Sequence, residues 1–487
     1  MPRSSLLAAA FATSLLTAGC AVGPDYVRPN DVAPAAFSGS ATTQRQAAVD
    51  AQELATWWAG FHDPLLSRLV GVALDQNLDL AQAVARSAQA RAGVAAAGAA
   101  LVPFGAVSGQ AARSYQSVET ALGRVTSAFP NFDRTSSAYD LNLGASWEID
   151  IAGGRRRGKE AALADYQASE AGIAAARLAV AAATADVYVQ VRGLQARLSI
   201  AQAQVRTEED LVAKVRLLHA KGLAADMNVH EAEANLAQAS AAVPALASAL
   251  EGALNAMDVM LGSAPGTYRR EMSAAAEIPV PPTLSAVGTP GELLRRRPDL
   301  IVAERRLAAS SARIGVAVSE YYPKLSLNGL LGSATTLGAG NLFSSGSNQA
   351  AAALGLRWRL FDFGRIDAQI EQAKGQEAEA LAAYRLAALK ATEDVETSVF
   401  TMTRRAEQSS TLGAGVASLR QARAQAEAAF KRGAVSQIDV LLVDRSLLRA
   451  ADAQALARTE SARATIGAYK SLGGGWVADA PKTAALR

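Results

Sequence analysis

The sequence predicts an α+β membrane protein built by internal tandem duplication, in which amphipathic strands feed two very long helices. Three observations predict it. Tyr139, Leu141, Leu143, Ala145, Trp147, Ile149 and Ile151 alternate with Asp140, Asn142, Gly144, Ser146, Glu148 and Asp150, the period-two pattern of a strand with one apolar and one polar face. Its length, about 13 residues, is enough to cross a bilayer at a tilt. Helical sequence then runs from about Arg156 to Ala220, on the order of 95 Å at 1.5 Å per residue. Finally the scheme repeats: Gly433 follows Gly222, and Trp358 follows Trp147, at the same interval of 211 residues.

Residues 1–19 have the build of a signal peptide: one basic residue, Arg3, and an apolar run from Leu6 to Leu16, too short for a permanent span of roughly 20 residues. The segment closes on Leu16-Thr17-Ala18-Gly19-Cys20, which resembles a bacterial lipobox. That resemblance implies cleavage after Gly19, with an S-diacylglycerol and an N-palmitoyl chain on Cys20. Cys20 is the chain's one cysteine. As a free thiol in an oxidising exported compartment it would be a liability. Acyl chains at roughly 0.8 kcal/mol per buried methylene make it a firm anchor in outer-membrane lipid. Ala21, rather than an acid, follows it, and by the bacterial sorting pattern that points to the outer membrane.

Residues 20–64 read as a lipid-anchored tether, Pro/Ala/Ser/Thr-rich to about Asp50, with Trp57, Trp58 and Phe61 supplying apolar contacts. The first structural repeat spans 65–261. Asp63-Pro64 starts a helix that breaks or re-caps at Asn77–Leu80 and ends at Pro103. A weaker strand follows from Phe104 to about Val118, then a loop containing Phe129, the Tyr139–Ile151 strand, and a turn at Gly153-Gly154. The long helix stops at Lys221-Gly222, and a return helix runs from Asn228 to Leu261. Residues 262–290, marked by Pro265, Pro279, Pro281, Pro282 and Pro290, form a linker. The second repeat, 291–472, answers element by element: a helix from Gly291 to Tyr322, strands at Leu325–Leu331 and Leu354–Phe361, a long helix from Ile366 to Lys431, a stop at Arg432-Gly433, and a return helix from Gln437 to Leu472. Residues 473–487 form a tail.

Half of the 487 residues are apolar but only 5% are aromatic, and the chain is rich in alanine, which suits closely packed helices. No apolar run after the signal approaches transmembrane length, so no membrane-spanning helix is expected. Four amphipathic strands in lipid must nevertheless close, because every backbone donor and acceptor needs a partner there. Transmembrane barrels have about eight strands or more, so the chain has to oligomerise, two copies giving eight strands and three giving twelve. The long helices carry apolar positions at mixed spacings (Leu194, Leu198, Val205, Val212, Val215), which suits lateral packing into a tube with a polar lumen. A lipid-anchored periplasmic coiled-coil scaffold without a pore is the rival reading, and it leaves the alternating strand without a purpose.

The net charge of +3, with both signs interspersed, does not indicate a nucleic-acid surface. There is no phosphate loop, nucleophile elbow or zinc-protease motif. His62, His219 and His230 are the three histidines, and a metal site at the latter two would need acids such as Glu233 to converge. No catalytic residue, cofactor or metal is expected.

Across its mature length the chain resembles the outer-membrane efflux proteins of the TolC type, specifically the NodT-type lipoproteins. The residues that carry this are Cys20–Pro29, Trp57-Trp58, the run Arg296-Arg297-Pro298-Asp299-Leu300 through Leu307, and the two turns Lys221-Gly222 and Arg432-Gly433. The resemblance implies a homotrimer: a 12-stranded outer-membrane barrel, four strands per chain, continuous with a long periplasmic α-helical barrel. Its tips would contact a periplasmic adaptor joined to an inner-membrane pump of the RND type, the chain being the passive conduit for export. The tip candidates are Lys221, Gly222, Arg432 and Gly433. The family places acids six and nine residues after the second tip glycine. Asp439 fills the first place, but Leu442 takes the second, so a double acidic ring does not carry over. Asn228 stands at the place equivalent to Asp439, with Asp226 two residues earlier, and these three are the gate candidates. A helix-start carboxylate is the competing reading of Asp439.

Overall fold

The computed structural model describes residues 21–30, 34–39, 50–284 and 286–476; the signal segment, Cys20 and most of the tail lie outside the described residues. In order, the elements are α1 (Ala51–Ala55), a 3-10 turn (Trp57–Phe61), α2 (Pro64–Gln76), α3 (Leu78–Ala99), β1 (Phe104–Tyr115), α4 (Ala121–Thr126) and β2 (Thr135–Ile149). There follow α5 (Gly154–Ala220), α6 (Asp226–Met260), α7 (Arg269–Met272), α8 (Pro290–Arg296) and α9 (Pro298–Ser319). The chain then forms β3 (Lys324–Thr335), β4 (Asn348–Arg357), α10 (Arg365–Lys431) and α11 (Gln437–Ser471). The duplication extends to lengths: α5 and α10 each have 67 residues, and α6 and α11 each have 35.

Local chemistry explains the boundaries. Asp63 caps α2 by accepting from the amides of Leu65 and Leu66 at 2.9 and 3.0 Å, with Pro64 at the first helical position, where a missing N–H costs nothing. Asn77 separates α2 from α3, accepting from the amides of Asp79 and Leu80 and donating to Met260 O at 2.9 Å. Three expectations are corrected. The second repeat's first helix is two helices, because Arg297 precedes Pro298, which disfavours the α conformation, and sits extended at φ −72°, ψ 120°. The fourth strand is Asn348–Arg357 rather than Leu354–Phe361. Alanines at 350–353 fill both faces, so no alternation marks them, and β4 loses its ladder partner where β3 begins after Pro323. Lastly, α5 is long and apolar enough to cross a membrane by length and composition, although 44% of its most apolar window is buried in the protein.

The chain divides into two compact units, each drawn from both repeats. The first (1–28, 88–168 and 304–382) holds one antiparallel sheet in the order β1-β2-β3-β4. Register sets Val107 opposite Leu143, Leu143 opposite Leu331, Trp147 opposite Leu327, and Leu327 opposite Leu354, so these side chains share one face. Gln110, Asn142, Ser146, Asn328 and Gln349 share the other. Ala21–Arg28 also belong to this unit. The buried Arg157 guanidinium donates to Val22 O at 3.1 Å and Asp25 Oδ1 at 2.7 Å, while Val22 N donates to Ala152 O at 3.0 Å. Gly23 faces Gly315 so closely that a Cβ on Gly23 would stand 2.4 Å from the Gly315 Cα.

The second unit (29–87, 169–303 and 383–487) holds the main apolar core. Trp57 stacks on Tyr469 with ring centroids 5.5 Å apart, among the buried Leu66, Leu69, Val189, Met257, Val395 and Leu472. Each such large side chain contributes about 1.5–3 kcal/mol by leaving water. Tyr188, buried in this core, donates to Asp63 Oδ2 at 2.7 Å, which ties α5 to the start of α2.

Candidate functional site

The sheet is the first half of the site. Its shared face of Val107, Leu143, Leu331, Leu354 and Leu356 is exposed, Val107 and Leu354 by 70 and 69%. The opposite face is a polar lattice: Ser146 Oγ donates to Asn328 Oδ1 at 2.8 Å, Gln349 Nε2 to Asn142 Oδ1 at 2.7 Å, and Asn142 Nδ2 to Asp140 at 3.0 Å. A sheet in water would hide the apolar face and present the polar one. Among the described residues nothing covers this sheet's apolar face, and β1 and β4 have no further strand at their outer edges. Such a sheet suits lipid on one side, a wet lumen on the other, and further strands at both edges.

The helical tips are the second half. Both long helices end in the same way. Leu223 N reaches back to Leu218 O at 2.8 Å and Ala434 N to Ala429 O at 3.0 Å, and Gly222 and Gly433 take positive φ of 71° and 74°. That is the Schellman stop, in which glycine supplies the left-handed residue without a Cβ penalty. Lys221, Gly222, Arg432 and Gly433 are all exposed.

The gate candidates follow directly. Asp439 is the third residue of α11 and forms a capping box: its Oδ2 accepts from Ser436 N at 2.8 Å and Ser436 Oγ at 2.7 Å, while Ser436 Oγ accepts from Asp439 N at 3.2 Å. Those bonds hold the Asp439 carboxyl below the usual carboxylate range. Asn228 occupies the same place on α6, its Oδ1 accepting from Ala225 N at 3.1 Å. Asp226, exposed, faces His219 at 3.9 Å and His230 at 3.5 Å, and His230 lies 3.6 Å from Glu233. Glu233 is itself held by Arg216 at 2.6 Å, which lowers its pKa.

Sequence reasoning missed the links between helices. Asp444 joins three of them: Arg423 of α10 donates to it at 2.6 Å and Thr207 of α5 at 2.9 Å, while Asp444 itself stands on α11. Above it, Arg197 pairs bidentately with Asp452 at 2.8 and 3.2 Å, and Arg463 with Asp186 at 2.8 and 3.0 Å. Planar two-bond pairs of this kind fix geometry as well as energy. Arg297, the second arginine of the Arg-Arg-Pro-Asp run, is buried and binds Asp299, Asp394 at 3.0 Å and Ser471 O at 3.1 Å. It therefore pins α9, α10 and the end of α11 together.

Comparison with known proteins agrees with this arrangement. The outer membrane efflux protein family matches residues 69–263 and 289–474. The pyoverdine export outer membrane protein OpmQ of Pseudomonas putida is 32% identical over 450 residues, covering 92% of this chain and 94% of OpmQ. Nodulation protein T of Rhizobium leguminosarum bv. trifolii is 30% identical, covering 89% of this chain and 90% of its own length. The solved outer-membrane channel OprN superposes with a TM-score of 0.79 at 32% identity, covering 94% of this chain and all of that one. This chain belongs to the outer membrane efflux protein family and is an outer-membrane channel component of an efflux system.

Proposed function

We propose that three copies close their four-stranded sheets into one 12-stranded barrel and that the long helices continue it as a periplasmic tube. The observation that carries this reading is the sheet, which among the described residues has an uncovered apolar face, a polar lattice on the other face and two free edges. A single copy has too few strands to close. The conduit is passive: export is driven by an inner-membrane pump through a periplasmic adaptor, and the chain performs no catalysis and holds no cofactor. The rival scaffold without a pore has no use for an apolar sheet face.

In this reading Cys20 carries the N-palmitoyl and S-diacylglycerol chains. The exposed tips Lys221, Gly222, Arg432 and Gly433 are the surface the adaptor meets. Asp439, with Asn228 and Asp226 on the neighbouring hairpin, sets the charge of the periplasmic entrance, where three carboxylates in a ring would draw cations. Planar-bilayer recording of the wild type against Asp439→Ala tests this. Cation-selective openings that lose their preference in the variant support the ring; unchanged openings leave the conduit and remove the ring.

A further inference from the structure

The last rung of the sheet carries a pair that weakens it. Lys324 opens β3 and Arg357 closes β4, directly opposite each other in the register, and like charges so placed destabilise a strand pair. By alternation both lie on the polar face with Asn328 and Gln349. Glu148 joins them one rung away, opposite Ser326. Between these three residues and Asp140 the polar face bears no charge. The charge is therefore gathered at one end of the sheet.

The pair stands on the wall of a cavity of about 470 Å³ beneath that end, lined by Glu148, Asp150, Arg155, Glu320, Lys324 and Arg357. The acids of this wall are already engaged. Glu148 accepts from Arg155 at 2.9 Å, and Asp150 from the amides of Arg155 and Arg156 at 3.1 and 2.9 Å. Glu320 pairs with Lys324 and, at 2.8 Å, with Arg359. Arg357 is exposed and makes no hydrogen bond or ion pair among the described residues. Arg155 Nε is buried without an acceptor, a cost that an incoming oxygen relieves. Gly158 also lines the cavity, and a Cβ there would meet nothing within 4 Å, so α5 leaves the space open.

We propose that this cavity is a binding station for the carboxylate groups of an anionic cargo, met where solute passes between the sheet and the helical tube. The inference rests on the conduit reading and adds the charge of what is carried. Arg357 offers a planar fork that matches a carboxylate with two bonds, and Lys324 and Arg155 add cationic donors from the same wall. A potential of one sign within low-dielectric walls raises the local concentration of the opposite ion. That return explains why the sheet keeps two cations face to face.

The test uses the full mature protein, acylated at Cys20, in phosphatidylcholine nanodiscs. Ser326→Cys then supplies the single reactive thiol, a diagonal neighbour of Arg357 at roughly 7–8 Å. Anionic and cationic methanethiosulfonates report the local potential there. Relative to their rates at Asn142→Cys, farther along the same face, the anionic reagent should react faster. Adding Arg357→Gln should lower that preference about sixfold, as Coulomb's law gives for one unit charge at this distance in water, and Arg357→Lys should keep it. Citrate should slow labelling of Ser326→Cys, and less so with Arg357→Gln. A preference for the cationic reagent, or labelling that citrate leaves unchanged, would overturn the station. Protection by phosphatidylglycerol in the disc, without protection by citrate, would assign the site to a lipid phosphate and equally overturn it. Ser326→Cys and Asn142→Cys variants that both react only with a membrane-soluble maleimide would instead remove the conduit reading itself.

Discussion

Trp147 and Trp358 make the same bond in the two repeats: each indole donates to the carbonyl two residues past the end of the preceding helix, Leu101 O and Tyr321 O, both at 3.0 Å. The two bonds lock each strand pair to its preceding helix at the junction between sheet and helices. Trp147→Phe and Trp358→Phe keep the ring and remove the donor. Each should lower stability by about 1 kcal/mol, and the two losses should add because the residues share no partner. Thermal unfolding of the detergent-purified protein measures both.

The two faces of β2 give opposite responses to one substitution. Leu143→Arg places a charge on the apolar face, a cost of about 2–4 kcal/mol if it sits near the bilayer midplane, and should sharply reduce outer-membrane assembly. Asn142→Arg, one residue away on the polar face, should assemble and shift ion selectivity toward anions. Fractionation and bilayer recording separate the two; equal tolerance at both positions would contradict the assignment of faces.

Burial and the bond to Asp63 push the Tyr188 hydroxyl up to about 12. A raised folded pKa means that the stabilisation is complete below the unfolded value of about 10 and is lost as pH rises through the folded one. Stability should therefore fall between about pH 10 and 12, by on the order of 2 kcal/mol. Tyr188→Phe should flatten that limb while leaving neutral-pH behaviour governed by the lost hydrogen bond. Denaturation midpoints across that window provide the check.

For Asp439 the sign is reversed. Its carboxyl is held low by Ser436, so its contribution is present above the usual carboxylate pKa and lost as pH falls through the lowered one. Amide exchange at the start of α11 should quicken below about pH 4, and Asp439→Asn should weaken that dependence. Asn228 makes only the reach-back half of that cap, to Ala225 N, and without a charge, so Asn228→Asp should leave α6 intact and strengthen cation preference.

Much of this fold was legible because its signals are local. Asp63-Pro64, Lys221-Gly222, Arg432-Gly433 and the Tyr139–Ile151 alternation each act within a few residues, and the elements they mark fall within a few residues of expectation. The fourth strand was displaced because alanine satisfies both faces of a strand and so carries no pattern. The helix break at Arg297 is hidden for a different reason: Pro298 sits inside an otherwise continuous helical pattern, and its effect falls on the residue before it. The Asp444 link was out of reach, since Thr207 lies 237 residues away in sequence and nothing local couples them.

The central claim is closure by three chains into a conduit. Native mass measurement of the mature protein in lipid nanodiscs, with conductance recorded on the same preparation, tests it most directly. Particles of three chains that give discrete openings are expected. Single chains in lipid together with silent bilayers would contradict it.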